Sequence, residues 1–193
     1  MRIVITGGCG FLGRRVALKL LAEGSPLGPV DELALFDNAP SALPLPEDKR
    51  LTIVTGDIAD RETIARLITR DTDAVFHLAA IVSGQAEADT ELGYRVNLDG
   101  TRAVLDACGA LGTAPRLVFA SSLAVYGGSL PPEVGDDTAL TPQTSYGTQK
   151  AIGNCLSTIT AGRGLSTAVR SDCRPSSCGR AGQTAPPRPL PRR

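Results

Sequence analysis

The sequence predicts an α/β protein built on a doubly wound parallel sheet, and three observations carry that prediction. Strand-length apolar runs alternate with helical patterns from residue 2 to residue 170. The strand runs are apolar throughout instead of at every second residue, which is how strands read when both faces of a parallel sheet are covered. A cluster of glycines falls where the first strand hands over to the first helix. With 193 residues, 42% of them apolar, the chain is long enough for one domain with a real core. Aromatic residues are only 4%, so that core must be aliphatic.

The elements follow in order. RIVIT (2–6) reads as a short buried strand. Residues 11–23 set Leu12, Val16 and Leu20 at i, i+4 and i+8, one face of a helix. GSPLGPVD (24–31) is turn chemistry. ELALF (32–36) is a second strand, closed by Asp37 and Asn38, and a proline-rich loop fills 39–50. LTIVT (51–55) is a third strand. DRETIARLITR (60–70) opens on Asp60 as a cap and puts Ile64, Leu67 and Ile68 on one face. AVFHLAA (74–80) is a fourth strand, and residues 91–111 carry Val96, Val104 and Leu111 at helical spacing. RLVFASS (116–122) is a fifth strand, 145–161 a further helix, and STAVR (166–170) a sixth strand. Residues 1–170 therefore read as one domain.

Composition narrows the function. Lys plus Arg and Asp plus Glu number 20 each, so the net charge is zero and nothing electrostatic calls for a nucleic acid or an anionic membrane. No apolar run approaches a membrane span. Met1 and Arg2 lead straight into a strand, so no secretory leader is expected. The cysteines at 9, 108, 155, 173 and 178 form no C-x-x-C pair and no metal-ligand spacing. No metal is expected, and an odd count of scattered thiols suits a reducing cytoplasm.

Gly7, Gly10 and Gly13 form G-x-x-G-x-x-G between the first strand and the first helix. Glycine there permits positive φ, close approach of a pyrophosphate to the backbone and tight packing of helix on strand. The free N–H groups and the positive end of the helix dipole then face the phosphates. Asp37 ends the next strand, 24 residues after Gly13. A carboxylate at that point accepts from both ribose hydroxyls of an adenosine and repels a 2′-phosphate, which favours NAD over NADP. Its plainer reading is a turn or cap aspartate. Tyr146 and Lys150 stand four apart in SYGTQK, hence on one helix face. A neighbouring ammonium favours a phenolate and makes a phenol a usable base. Ser121 and Ser122 end the fifth strand, where a hydroxyl points into the ligand crevice or satisfies a turn. His77, the single histidine, has no Cys, Asp or Glu cluster near it in sequence and reads as a strand-end histidine bonded to its neighbours.

These stretches occur together and in order. TGGCGFLG (6–13), Asp37, GDIAD (56–60), HLAA (77–80), VNLDGT (96–101), SSLAVYG (121–127) and SYGTQK (145–150) resemble the extended short-chain dehydrogenase/reductase family, which includes NAD-dependent sugar-nucleotide epimerases and dehydratases. The resemblance implies a Rossmann-type fold with NAD as cofactor. It implies Tyr146 as the general acid/base, Lys150 tuning the phenol and holding the nicotinamide ribose, and Ser122 orienting the substrate oxygen. It implies that Phe11 and Leu12 join the glycines against the cofactor. Asp57 and Ile58 would flank the adenine, Leu78, Ala79 and Ala80 line the middle of the cofactor, and Asn97 support the site. Cys9 stands where the family often has alanine, at a helix N-terminus that would make it more reactive than a buried thiol.

Two longer stretches, 79–102 and 136–153, resemble those members that oxidise a four-carbon sugar acid at C2 with NAD. The substrate is then a small sugar acid, with no nucleic-acid or membrane partner. Ser83, Gly84 and Gln85 follow the fourth strand and either reach the substrate or form a polar loop. Helices 91–111 and 145–161 resemble the pair through which the family dimerises, and otherwise simply cover the sheet. Two rival readings are a sugar-nucleotide epimerase or dehydratase and an inactive NAD-binding fragment.

The last stretch, 171–193, has five Pro, five Arg and a single Leu, so disorder is expected there. The resemblance implies a further strand and a capping region instead. Bases able to encode STAVRSDCRPSSCGR also spell V-D-G-R-A-V-R-L-P-T-I-V-V-R-P when read one nucleotide earlier, which the family pattern would have there. That predicts a frame change near Leu165, a C-terminally truncated fold and a non-native tail in which Cys173 and Cys178 carry no function.

Overall fold

The first strand, β1 (Arg2–Thr6), has neighbours on both sides, and its residues from Ile3 to Thr6 are buried. It pairs in parallel with β2 (Glu32–Asp37) and with β4 (Thr72–His77). Adding β3 (Leu51–Thr55), β5 (Arg116–Ala120) and β6 (Thr167–Ser171) gives a six-stranded sheet in the order β3-β2-β1-β4-β5-β6. Every pairing is parallel. The computed structural model describes residues 1–135, 137–162 and 167–171.

Strand side chains alternate between faces, so a strand buried on both faces feeds two cores. Ile3, Ile5, Leu33 and Leu35 join Ala17 and Leu20 of α1 (Phe11–Glu23) on one side. Val4, Ala34, Phe36 and Val75 face the other way. They pack against Ile64 of α2 (Arg61–Leu67) and Val104 of the long helical stretch that precedes β5. This two-sided burial is why these strands read as unbroken apolar runs. β3 is one of the two edge strands, and Ile53 there is exposed.

The architecture is the Rossmann-type doubly wound sheet that the pattern predicts. Several boundaries differ from the expectation. The fourth strand starts at Thr72 and ends at His77, so Leu78, Ala79 and Ala80 lie past it. β5 stops at Ala120, which leaves Ser121 and Ser122 outside the strand, and a single 3-10 turn covers Leu123–Val125. α2 ends at Leu67 because Ile68 is extended. The expected polar loop at Ser83, Gly84 and Gln85 is a short helix, α3 (Ser83–Ala88). Serine and glycine are weak helix formers, so its existence rests on Ala86 being buried by tertiary contacts.

The expected single helix over 91–111 is broken in winding. It opens as α4 (Thr90–Gly93), widens into a π-helical segment at Tyr94–Asp99, and continues as α5 (Gly100–Ala110). Periodicity of apolar residues cannot distinguish the two windings over so few residues. The last helix, α6 (Ser145–Gly162), packs beside α5 and the π segment. The sixth strand ends at Ser171, one residue beyond its expected end. The rest of the tail, with Cys173, Cys178 and the expected frame change near Leu165, lies outside the described residues.

Candidate active site

The carboxyl ends of the strands open onto a cleft of about 690 Å3. Its floor is the glycine turn. Gly7 has φ +68°, and a Cβ on it would stand 2.7 Å from the Ala79 nitrogen. A Cβ on Gly13 would stand 2.2 Å from the Gly7 carbonyl oxygen. Gly13 is therefore restricted to glycine by backbone approach, and Gly7 both by backbone approach and by its positive φ. Gly10 is the N-cap of α1 and offers no side chain to its first turn, so those N–H groups are left unclaimed by a cap. Gly7, Gly10, Phe11, Leu12 and Gly13 all line the cleft.

Asp37 closes one end. Its carboxylate accepts from the Cys9 N–H at 3.0 Å and from the Asn38 N–H at 2.8 Å, which ties the end of β2 to the glycine turn. The Cys9 thiol does not behave as its place at a helix start suggests. Burial, and then the Asp37 carboxylate, push its pKa up, so it is a weaker nucleophile than an open thiol. Asp57 and Ile58, from the loop after β3, form a second wall, and Leu78, Ala79 and Ala80 form the back. Gln85 of α3 reaches the cleft, whereas its neighbours Ser83 and Gly84 do not line it.

The cleft also takes residues to which the sequence assigned no part in a site. Asn38, Ile81, Val82, Leu92, Arg95 and Val96 line it as well. Arg95 forms an ion pair with Asp57 across the mouth. Its one sequence signal is isolation, since it is the only lysine or arginine between Arg70 and Arg102.

A buried polar chain links the cleft to the helix that carries Tyr146. Asn97 sits in the π segment, 2% exposed. Its Oδ1 accepts from the Ile81 N–H at 2.9 Å, and its Nδ2 donates to the Ile81 carbonyl at 3.2 Å and to Gln149 Oε1 at 2.8 Å. Tyr146 and Lys150 follow on α6. Lys150 is 3% exposed, donates to the Ala120 carbonyl at 3.0 Å, and stands 4.9 Å from the Phe119 ring centroid and 6.0 Å from that of Tyr146. Burial pulls its pKa down to about 8. Among the described residues no carboxylate pairs with it.

The first turn of α6 is held from outside. Glu87 Oε1 of α3 accepts from the Tyr146 N–H at 3.0 Å and from the Ser145 hydroxyl at 2.9 Å. Gly147 lets the 3-10 turn approach, because a Cβ there would lie 2.1 Å from the Ala124 carbonyl oxygen. Ser122 caps that turn by accepting from the Ala124 N–H at 3.2 Å, which leaves its own proton free to donate. Ser122, Tyr146, Lys150 and Asn97 lie outside the lining of the cleft, and Asn97 joins the two groups through Ile81 and Gln149.

His77 has a structural place. Thr101 Oγ1 donates to the Asn97 carbonyl at 2.6 Å and so accepts from His77 Nε2–H at 2.9 Å. His77 Nδ1 then accepts from the Thr6 hydroxyl at 2.7 Å. Burial holds the imidazole neutral, with its pKa down to about 3.

A parallel sheet with glycine turn, strand-end acid and a cleft along its carboxyl ends defines the class of Rossmann-type α/β proteins. Within it, the family model described as the NAD dependent epimerase/dehydratase family matches residues 3–169, and the chain belongs to that family. D-erythronate dehydrogenase of Cupriavidus necator is 53% identical over 172 residues, covering 86% of this chain and 52% of that enzyme. Among solved structures, the nucleoside-diphosphate-sugar epimerase from Agrobacterium tumefaciens has a TM-score of 0.82 and 38% identity, over 94% of this chain and 56% of that one. DesIV, a dTDP-glucose 4,6-dehydratase from Streptomyces venezuelae solved with NAD bound, has a TM-score of 0.78 and 29% identity, over 88% of this chain and 55% of that one. The chain spans about half the length of the curated relatives it matches. Among the described residues, no helix is long and apolar enough to cross a membrane.

Proposed function

We propose that residues 1–170 form the NAD-binding and catalytic domain of a dehydrogenase that oxidises a small sugar acid of the D-erythronate kind at C2. The observation that carries this reading is the Lys150 ammonium, buried beside the Tyr146 ring without a carboxylate among the described residues. An unpaired buried cation destabilises a fold, and such groups cluster where chemistry needs them. The relatives named D-erythronate dehydrogenase supply the substrate class.

The residues present fit NAD. Gly7, Gly10 and Gly13 line the cleft without side chains, so a pyrophosphate can lie against the backbone there, and the uncapped first turn of α1 offers N–H donors to it. Asp37 takes the adenosine ribose hydroxyls, and Asp57 and Ile58 the adenine. Leu78, Ala79 and Ala80 cover the middle of the cofactor. When bound, NAD supplies the hydride acceptor. The Tyr146 phenolate takes the proton of the C2 hydroxyl, Lys150 holds the negative charge on that oxygen, and Ser122 donates to the substrate oxygen. Asn97 holds the wall at Ile81, and Gln85, with Ser83 and Gly84 beside it on α3, faces the substrate. The same reading places the enzyme in the cytoplasm as a homodimer through α5 and α6, where Cys155 and Ile159 are exposed on the outer face of α6.

The test is NADH release over a panel of four-carbon sugar acids. Wild type is expected to release NADH, and Tyr146→Phe to lose more than about a hundredfold in kcat while still binding NAD. Full rate in Tyr146→Phe would remove Tyr146 as the base. The sugar-nucleotide enzymes among the structural neighbours favour a second reading. Interconversion of a UDP-sugar without net NADH would select it.

A further inference from the structure

We propose that Arg95 recognises the adenosine half of the dinucleotide, held ready for it by Asp57. The inference rests on the NAD reading above and concerns a residue to which that reading gives no part.

Arg95 stands in the π segment, Asp57 in the loop after β3, and the two meet across the cleft mouth through Nη1 and Oδ2. The second carboxylate oxygen of Asp57 is fixed by the Ala59 N–H at 3.0 Å. The anchor is therefore oriented before any ligand arrives. The wall behind it is also fixed. Ile58 is buried against Gly100, where an added Cβ would meet Ile58 Cγ2 at 2.8 Å.

The pair does little for folding. Its side chains are 53% and 43% exposed, and exposed ion pairs contribute little to stability. Its charge matters more to a ligand. Among the described residues lining the cleft, Arg95 is the only cation, against the carboxylates of Asp37 and Asp57. A dinucleotide brings a pyrophosphate dianion into that acidic end, so Arg95 offsets the repulsion. A guanidinium fixed at its tip by a carboxylate also offers a flat face, which stacks on an aromatic base as a lysine ammonium cannot. The ion pair thus forms one side of the adenine slot and Ile58 another.

Isothermal titration of AMP, ADP-ribose and nicotinamide mononucleotide into wild type, Arg95→Ala and Arg95→Lys tests this without relying on turnover. Arg95→Ala is expected to weaken AMP and ADP-ribose about tenfold each and to leave nicotinamide mononucleotide within twofold, with the melting temperature of the free protein unchanged. Arg95→Lys keeps the charge and loses the face, so it should recover only part of the loss. Wild-type affinity for ADP-ribose in Arg95→Ala overturns the inference, and so does equal weakening of nicotinamide mononucleotide. Full affinity in Arg95→Lys overturns the stacking contact. A wild-type chain that binds none of the three overturns the NAD reading and this inference together, whereas wild-type binding that Arg95→Ala leaves intact overturns this inference alone.

Discussion

Lys150 brings the chemistry and the stability of the chain into conflict at a single residue. Burial has taken its ammonium from the usual 10.5 to about 8, a displacement that corresponds to about 3 kcal/mol. Below pH 8 both the folded and unfolded chains hold the proton, and the folded state carries the whole penalty. Between about 8 and 10.5 the unfolded chain holds it more tightly, so stability rises with pH until both are neutral. Lys150→Met lacks the charge. It is expected to exceed wild type at pH 7 by about 3 kcal/mol, less roughly 1 kcal/mol for the Ala120 carbonyl left without its donor, while turnover is lost. Denaturant melts at pH 7 and at pH 10.5 check this, because the advantage should fade at the higher pH. An advantage unchanged by pH would mean that Lys150 is not a strained cation. The Tyr146–Lys150 pair was legible in sequence because a four-residue spacing sets two side chains on one helix face. The partners of Lys150 were not, since Ala120 and Phe119 come from a strand thirty residues away.

At the scale of elements, the first turn of α6 depends on a carboxylate from elsewhere in the chain. Glu87 takes the Tyr146 N–H and the Ser145 hydroxyl, and these bonds hold its pKa below the usual carboxylate range. The helix bearing Tyr146 is thereby fastened to α3, whose Gln85 reaches the cleft. Glu87→Ala is expected to speed amide exchange in the first turn of α6 and to lower kcat on the order of tenfold by misplacing the phenol. ADP-ribose affinity should stay near wild type, since that ligand occupies the other end of the cleft. Slow, unchanged exchange at Tyr146 in the variant would show that the cap does not hold the helix. The sequence carried no local sign of this link. The π winding was equally hidden, because Val96, Val104 and Leu111 satisfy a helical repeat whether or not one turn is widened.

For the molecule as a whole, His77 is where sheet and helices are joined. Its ring receives the Thr6 hydroxyl of β1 and gives to Thr101 of α5, which continues to the Asn97 carbonyl. With its pKa held near about 3, the folded protein excludes a proton that the unfolded chain binds below about 6.5. The contribution is complete above 6.5 and is lost as pH falls toward 3, so acid is expected to loosen the whole domain. The chain has one histidine, so one imidazole Cε1–H signal reports it. That NMR signal should not move between pH 8 and pH 5. A titration midpoint near 6.5 in the folded protein would show an imidazole open to solvent.

Patterns confined to one turn or one strand were determined by the sequence alone. They comprise the unbroken apolar strands, the glycine turn, Asp37 at the end of β2, and tyrosine and lysine on one face of α6. Local backbone geometry sets each of these. Only the tertiary structure decided that Arg95 meets Asp57, that Glu87 caps α6, that Asn97 joins Ile81 to Gln149, and that Cys9 is a dulled thiol. Each of those depends on residues far apart in the chain, whose meeting follows from how the two cores press the elements together.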